Sequence, residues 1–184
     1  MVKASGLLIP ILAFALLPPL CAFAQEGKTK SLFQSHFATV AGGEPCYARS
    51  YSDDHLKAHP AQRVAEIEID MAKVNPDGKP ITEEAIELGF GIKLKDKTHW
   101  YTNVAICKSD ADRMSCFLEG DGGAFTLSAA QDGAVRLETG DYGIAMEGAD
   151  DFVELSGTEG DDRVFILQQA DKNVCAASTE DVRQ

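Results

Sequence analysis

Beyond residue 24 the chain has no apolar run of the roughly 20 residues needed to cross a bilayer, so the mature protein is expected to have no integral membrane segment. It also lacks an excess of positive charge. Its 17 Lys and Arg stand against 29 Asp and Glu, a formal net charge of −12. Nucleic acid and anionic lipid both demand cationic surface, and this balance argues against either as partner. No Asn-x-Ser/Thr sequon occurs, so nothing directs the chain to glycosylation in an endoplasmic reticulum. The nucleophile signatures are missing as well. There is no Gly-x-Ser-x-Gly elbow, Ser-x-x-Lys, His-Glu-x-x-His or Walker loop, and Cys107 and Cys116 are too far apart for a Cys-x-x-Cys redox site. No cofactor is implied.

What is present begins with an export signal. Lys3 precedes an apolar run over residues 7–17, Pro18-Pro19 closes it, and Ala22-Phe23-Ala24 supplies the small residues a signal peptidase needs before Gln25. Residues 1–24 are therefore expected to be cleaved, taking Cys21 with them. Four of the five cysteines remain: Cys46, Cys107, Cys116 and Cys175. An even number maturing in an oxidising compartment predicts two disulfides and a periplasmic or secreted protein, with a bacterial periplasm preferred.

Residues 25–44 read as a flexible N-terminal segment and 45–184 as a single β domain. Ser52 or Asp53 caps a short helix that Pro60 prevents from continuing. From Arg63 onward strand patterns alternate with turn chemistry. Ile67 and Ile69 alternate with Glu66, Glu68 and Asp70. Ile86, Leu88, Phe90, Ile92 and Leu94 then share one face of the clearest strand, opposite Glu87, Gly89, Gly91 and Lys93. Mid-strand glycines cost stability and mark a bend or a close approach, and here they would let the sheet coil into a small barrel. Further strands are expected over residues 99–107, 114–119, 124–128, 135–138, 143–146, 152–155 and 163–168. The sum is an all-β antiparallel meander of about eight or nine strands, a barrel or a sandwich.

Cys107 and Cys116 lie equidistant from the turn centre between Ala111 and Asp112, so a simple hairpin opposes them. Cys46 is left for Cys175, tying the segment before the sheet to the one after it. Four cysteines permit three pairings, and this is the one expected.

Candidate chemistry is sparse. His55 and His59 are four apart on the expected helix and would share a face as weak metal ligands, although no third ligand is evident and Pro60 biases His59 out of helical geometry. The pairs Asp53-Asp54, Asp150-Asp151 and Asp161-Asp162 fall in or near turns, where Asp and Gly are what hairpins require. Their intervals match neither an EF-hand nor a calcium-binding repeat. Trp100, Tyr101, Phe117 and Phe125, with the volume vacated at Gly89 and Gly91, are the candidate lining of a ligand pocket.

The run Cys46-Tyr47-Ala48-Arg49-Ser50-Tyr51, leading into His55-Leu56-Lys57-Ala58-His59-Pro60, resembles the opening of a group of secreted bacterial proteins without assigned function. Gly160-Asp161-Asp162-Arg163-Val164-Phe165-Ile166-Leu167, followed by Cys175, resembles their C-terminal end. The resemblance covers both ends of the mature domain, implies no catalytic residue, and agrees with pairing of the terminal cysteines. Small periplasmic lysozyme inhibitors are similar in architecture only. The expectation is a monomeric binding or inhibitor-like domain whose partner is a cationic protein or an envelope component. The alternatives are a carrier of a small apolar ligand and a hydrolase built from dispersed Asp, Glu and His.

Overall fold

A computed structural model describes residues 30–38, 44–72, 74–75, 77–148 and 151–175. The expected leader, residues 25–29 and 39–43 of the segment after it, Asp150 and the last nine residues lie outside the described set. Among the described residues nine strands run in chain order: β1 (Cys46–Ser50), β2 (Val64–Asp70), β3 (Ile86–Leu94), β4 (Tyr101–Asp110), β5 (Arg113–Leu118), β6 (Gly123–Ala129), β7 (Val135–Glu147), β8 (Phe152–Leu155) and β9 (Val164–Gln169). One helix, α1 (Asp53–Ala58), lies between β1 and β2.

Each of β1 to β7 pairs antiparallel with the next. β9 then pairs with both β7 and β1, closing an eight-stranded barrel. β8 stands outside that ring. It pairs with the C-terminal half of β7, Ile144 to Leu155 and Glu147 to Phe152, as an arm beyond the closed wall. Of the two architectures open from the sequence, the barrel is the one formed.

The alternation of β2 and β3 decides inside from outside. Ile67, Ile69, Phe90 and Ile92 point inward and are buried, while Glu66 and Lys93 on the other face bond across the strands at 3.0 Å. Apolar inside and charged outside is the reverse of a transmembrane barrel. No helix among the described residues is long and apolar enough to cross a membrane. The lumen is packed with its own side chains: Phe90 and Phe125 stack at 5.1 Å, and Phe165, Leu137, Leu127, Met114 and Ile86 are buried with them. Gly89 and Gly91 lie on the outer side of β3 opposite Asp70 and Glu68, and all four residues are buried.

Both disulfides form as expected. Cys107 and Cys116 are register partners in the β4–β5 hairpin, their Cα atoms 4.1 Å apart, the close spacing typical of a non-hydrogen-bonded pair. Cys46 at the start of β1 bonds Cys175, 129 residues away.

Three elements differ from expectation. Residues 46–50, given no element by their pattern, form β1. The strands expected at 135–138 and 143–146 are one kinked strand, β7, because Gly140-Asp141 bends the chain without reversing it. Within the segment expected to be flexible, three residues belong to the core: Leu32, Phe33 and Phe37 are buried and close one end of the barrel with a single π-type turn, Phe33–Phe37. Leu32 N–H donates to the Ala111 carbonyl, and the Tyr47 hydroxyl donates to the His36 carbonyl at 2.9 Å. Burial pushes the Tyr47 phenol up to about 12.

Candidate functional site

The end of the barrel opposite this plug carries the loops 51–63, 95–100, 119–122 and 156–163, and from it the β7–β8 arm projects. The arm exists because its backbone packs against neighbouring backbone. A Cβ at Gly143 would lie 2.0 Å from the Leu155 carbonyl oxygen, one at Gly157 would lie 2.0 Å from that of Gly140, and one at Gly123 would lie 2.1 Å from that of Gly143. Gly143 also has φ +73°, which suits glycine.

A polar latch braces the arm against the β3–β4 loop. Asp151 accepts from Lys97 Nζ at 2.6 Å, from the Tyr101 hydroxyl at 2.9 Å and bonds His99 Nε2 at 3.1 Å. The Lys97 hydrogen bond, seconded by those of Tyr101 and His99, holds the Asp151 carboxyl down at about 2. Burial and the same carboxylate push the Tyr101 phenol up. Gly148 leaves room for this group, since a Cβ there would come within 2.7 Å of both the Tyr101 ring and Asp151 Oδ1. On the other side Arg63 Nη1 donates to the Glu154 carbonyl at 2.7 Å. Asp162, buried, accepts from the Arg63 and Val64 amides at 2.7 and 3.0 Å, and burial raises its carboxyl.

The arm buries Ile144, Met146, Val153 and Leu155 and turns its other face outward. There Phe152 is 60% exposed and sits directly opposite Glu147, with Glu154 two residues further along the same face. Tyr142, 95% exposed, stands beside Asp141 at the kink of β7. Large aromatics held in water on a braced element, each with carboxylates beside it, combine an anchor with charge.

The residues singled out from the sequence do not converge here. Tyr101 belongs to the latch, Trp100 beside it is half-buried, and Phe125 is inside the lumen. Phe117 is on the outside of β5, and Gly89 and Gly91 are in the outer face of β3, so the six candidate lining residues share no cavity. Two open clefts lie at the plug end instead, one of about 240 Å³ beside Cys46, Asp70 and Lys172, the other of about 380 Å³ beside Phe37, Met71 and Ile81. His55 and His59 do share a face. Ser52 caps α1 through the His55 amide, the two imidazoles stack at 4.4 Å, and Tyr51 stacks on His55 at 4.8 Å. His55 Nε2 bonds Gln62 and His59 faces Asp161 at 3.8 Å, an arrangement that directs the ring nitrogens to different partners. Among the described residues no group of three or more His, Cys, Asp or Glu is placed to hold a metal.

The latch has the residue types of a proton-transfer site, with an acid orienting a histidine. The Asp151 carboxyl, at about 2, stays ionised near neutrality, and the groups bonded to it are Lys97, Tyr101 and His99, with no Ser or Cys nucleophile among them. Its action is to hold two hairpins together.

Sequence reasoning passed over Phe152 and Tyr142. The signal for Phe152 was available, because it shares strand parity with Glu154 and not with Val153 and Leu155. No family model matches the chain, nor does any curated protein or solved structure.

Proposed function

We propose that the protein is a non-catalytic binding or inhibitor-like domain, exported to a bacterial periplasm or beyond, that engages a cationic protein through its β7–β8 arm. The observation that carries this reading is Phe152, exposed between Glu147 and Glu154 on an arm braced by a charged latch. Such an arm presents an apolar anchor ringed by negative charge to a basic surface, and the chain's net charge of −12 would steer the encounter. The two disulfides and the leader-like residues 1–24 support an oxidising compartment.

Binding measured against a panel of basic proteins tests the reading. Affinity should fall at least about tenfold between low and high salt, and Phe152→Ala should weaken it by roughly 30-fold. Affinity indifferent to both changes would remove the proposal. The carrier alternative has less behind it, because the lumen is occupied by Phe90, Phe125 and their neighbours. Native mass spectrometry of protein from its host should accordingly show the bare chain mass.

A further inference from the structure

The outer wall from β5 to β9 differs in charge from the rest of this acidic molecule. Strand registers set its outward side chains in rows. Arg113 of β5, Ser128 of β6, Arg136 of β7 and Ile166 of β9 form one, and Ser115, Thr126, Glu138 and Val164 form the next. Arg163 immediately precedes β9. Three of the chain's 6 arginines thus gather around one carboxylate, Glu138, which is ion-paired to Arg136. That hydrogen bond, with the charges of Arg163 and Arg113 behind it, keeps the Glu138 carboxyl below its usual range. Val164 is 42% exposed, Ile166 39%, and Phe117, further along β5, 55%. Ser115, Thr126 and Ser128 between them are short, so arginines and apolar side chains rim a shallow floor.

A face of this kind fits a partner that brings carboxylates arranged around an apolar side chain. The chain carries such an element itself, in Phe152 between Glu147 and Glu154. We propose that the arginine wall of one molecule takes the β7–β8 arm of a second copy, Phe152 packing on Val164 and Ile166 while Glu147 and Glu154 meet Arg113 and Arg136. The contact is heterologous, arm to wall, and covers the arm at high concentration while leaving it free at dilution. It goes beyond the binding of a foreign basic protein, with which it competes for Phe152. Two copies of like net charge repel at long range. Association is therefore best sought at an ionic strength of about 0.1 M, where a screening length of about 10 Å damps that repulsion and spares contact pairs.

Sedimentation velocity of the full chain from micromolar to millimolar concentration tests the proposal. The weight-average mass should rise with concentration, and the double reversal Arg113→Glu/Arg136→Glu should stay monomeric throughout. Mixing that variant with Glu147→Arg/Glu154→Arg should restore association between the two, which a misfolded variant would not do. Phe152→Ala should weaken self-association by roughly tenfold. Wild type that remains monomeric at millimolar concentration, or a wall reversal that associates as strongly as wild type, overturns the proposal. The wall reversal should still bind basic proteins, so loss of self-association is distinguishable from failure of the arm as a binding element.

Discussion

Asp151 shows how one side chain sets the behaviour of a whole loop pair. Its folded carboxyl sits at about 2, held there first by Lys97. The usual value is about 4. A depressed acid contributes stability that is present above its unfolded value and disappears as pH falls through its folded one. The latch should therefore weaken between about pH 4 and pH 2. Urea midpoints at pH 5, 3 and 2 should decline more steeply for wild type than for Asp151→Asn across that window, and parallel declines would mean that the latch adds no pH-dependent stability. Glycines give a second prediction at this scale. Gly143→Ala combines positive φ with a backbone oxygen 2.0 Å from the new methyl, and should cost about 3 kcal/mol. Gly133 has a similar φ of +75° but open space around it, so Gly133→Ala should cost only about 1 kcal/mol. Equal costs in equilibrium unfolding would mean that backbone strain, and not the close approach, governs the arm. Residue-scale legibility divided along the same line. Parity along a strand marks Phe152 as outward, but nothing in the sequence says that residues 97, 99, 101 and 151 meet, because the latch joins hairpins 50 residues apart.

At the scale of elements, strands with a clean period of two were legible and elements defined by distant partners were not. β2 and β3 each alternate with an apolar inner face, and the opposition of Cys107 to Cys116 follows from hairpin symmetry alone. β4 alternates too, but its register turns Tyr101, Asn103, Ala105 and Cys107 inward and leaves Ile106 43% exposed. β1 gives no such signal. It has five residues, and buried Tyr47 is followed two positions on by exposed Arg49, so no apolar face repeats and its strand character comes from pairing with β2 and β9. The plug at residues 32–37 has apolar residues without a period because they fill a barrel end, not a helix face. Phe37→Ala in that plug should destabilise by about 3–5 kcal/mol. The two bridges should differ in worth. On the loop-entropy account, losing Cys107–Cys116 costs about 2.5 kcal/mol and losing Cys46–Cys175 about 5 kcal/mol. Unfolding of the paired Cys→Ala variants checks the order, and a reversed ranking would contradict the picture of a barrel tied at its chain ends.

For the whole molecule the decisive feature is where space and charge lie. The lumen is filled, the arm occupies one end, and three arginines, Arg113, Arg136 and Arg163, gather on one wall. Sequence composition revealed the net charge of −12 but not its segregation, which depends on register between strands far apart in the chain. On the proposed reading, recognition by this barrel is an affair of its exterior, led by the arm. Amide and side-chain NMR shifts of the labelled protein, titrated with a basic protein it binds, test this most directly. The account predicts perturbations centred on Tyr142, Glu147, Phe152 and Glu154 with the signals of Phe90 and Phe125 unmoved; shifts concentrated on those two lumen rings, with a silent arm, would contradict it.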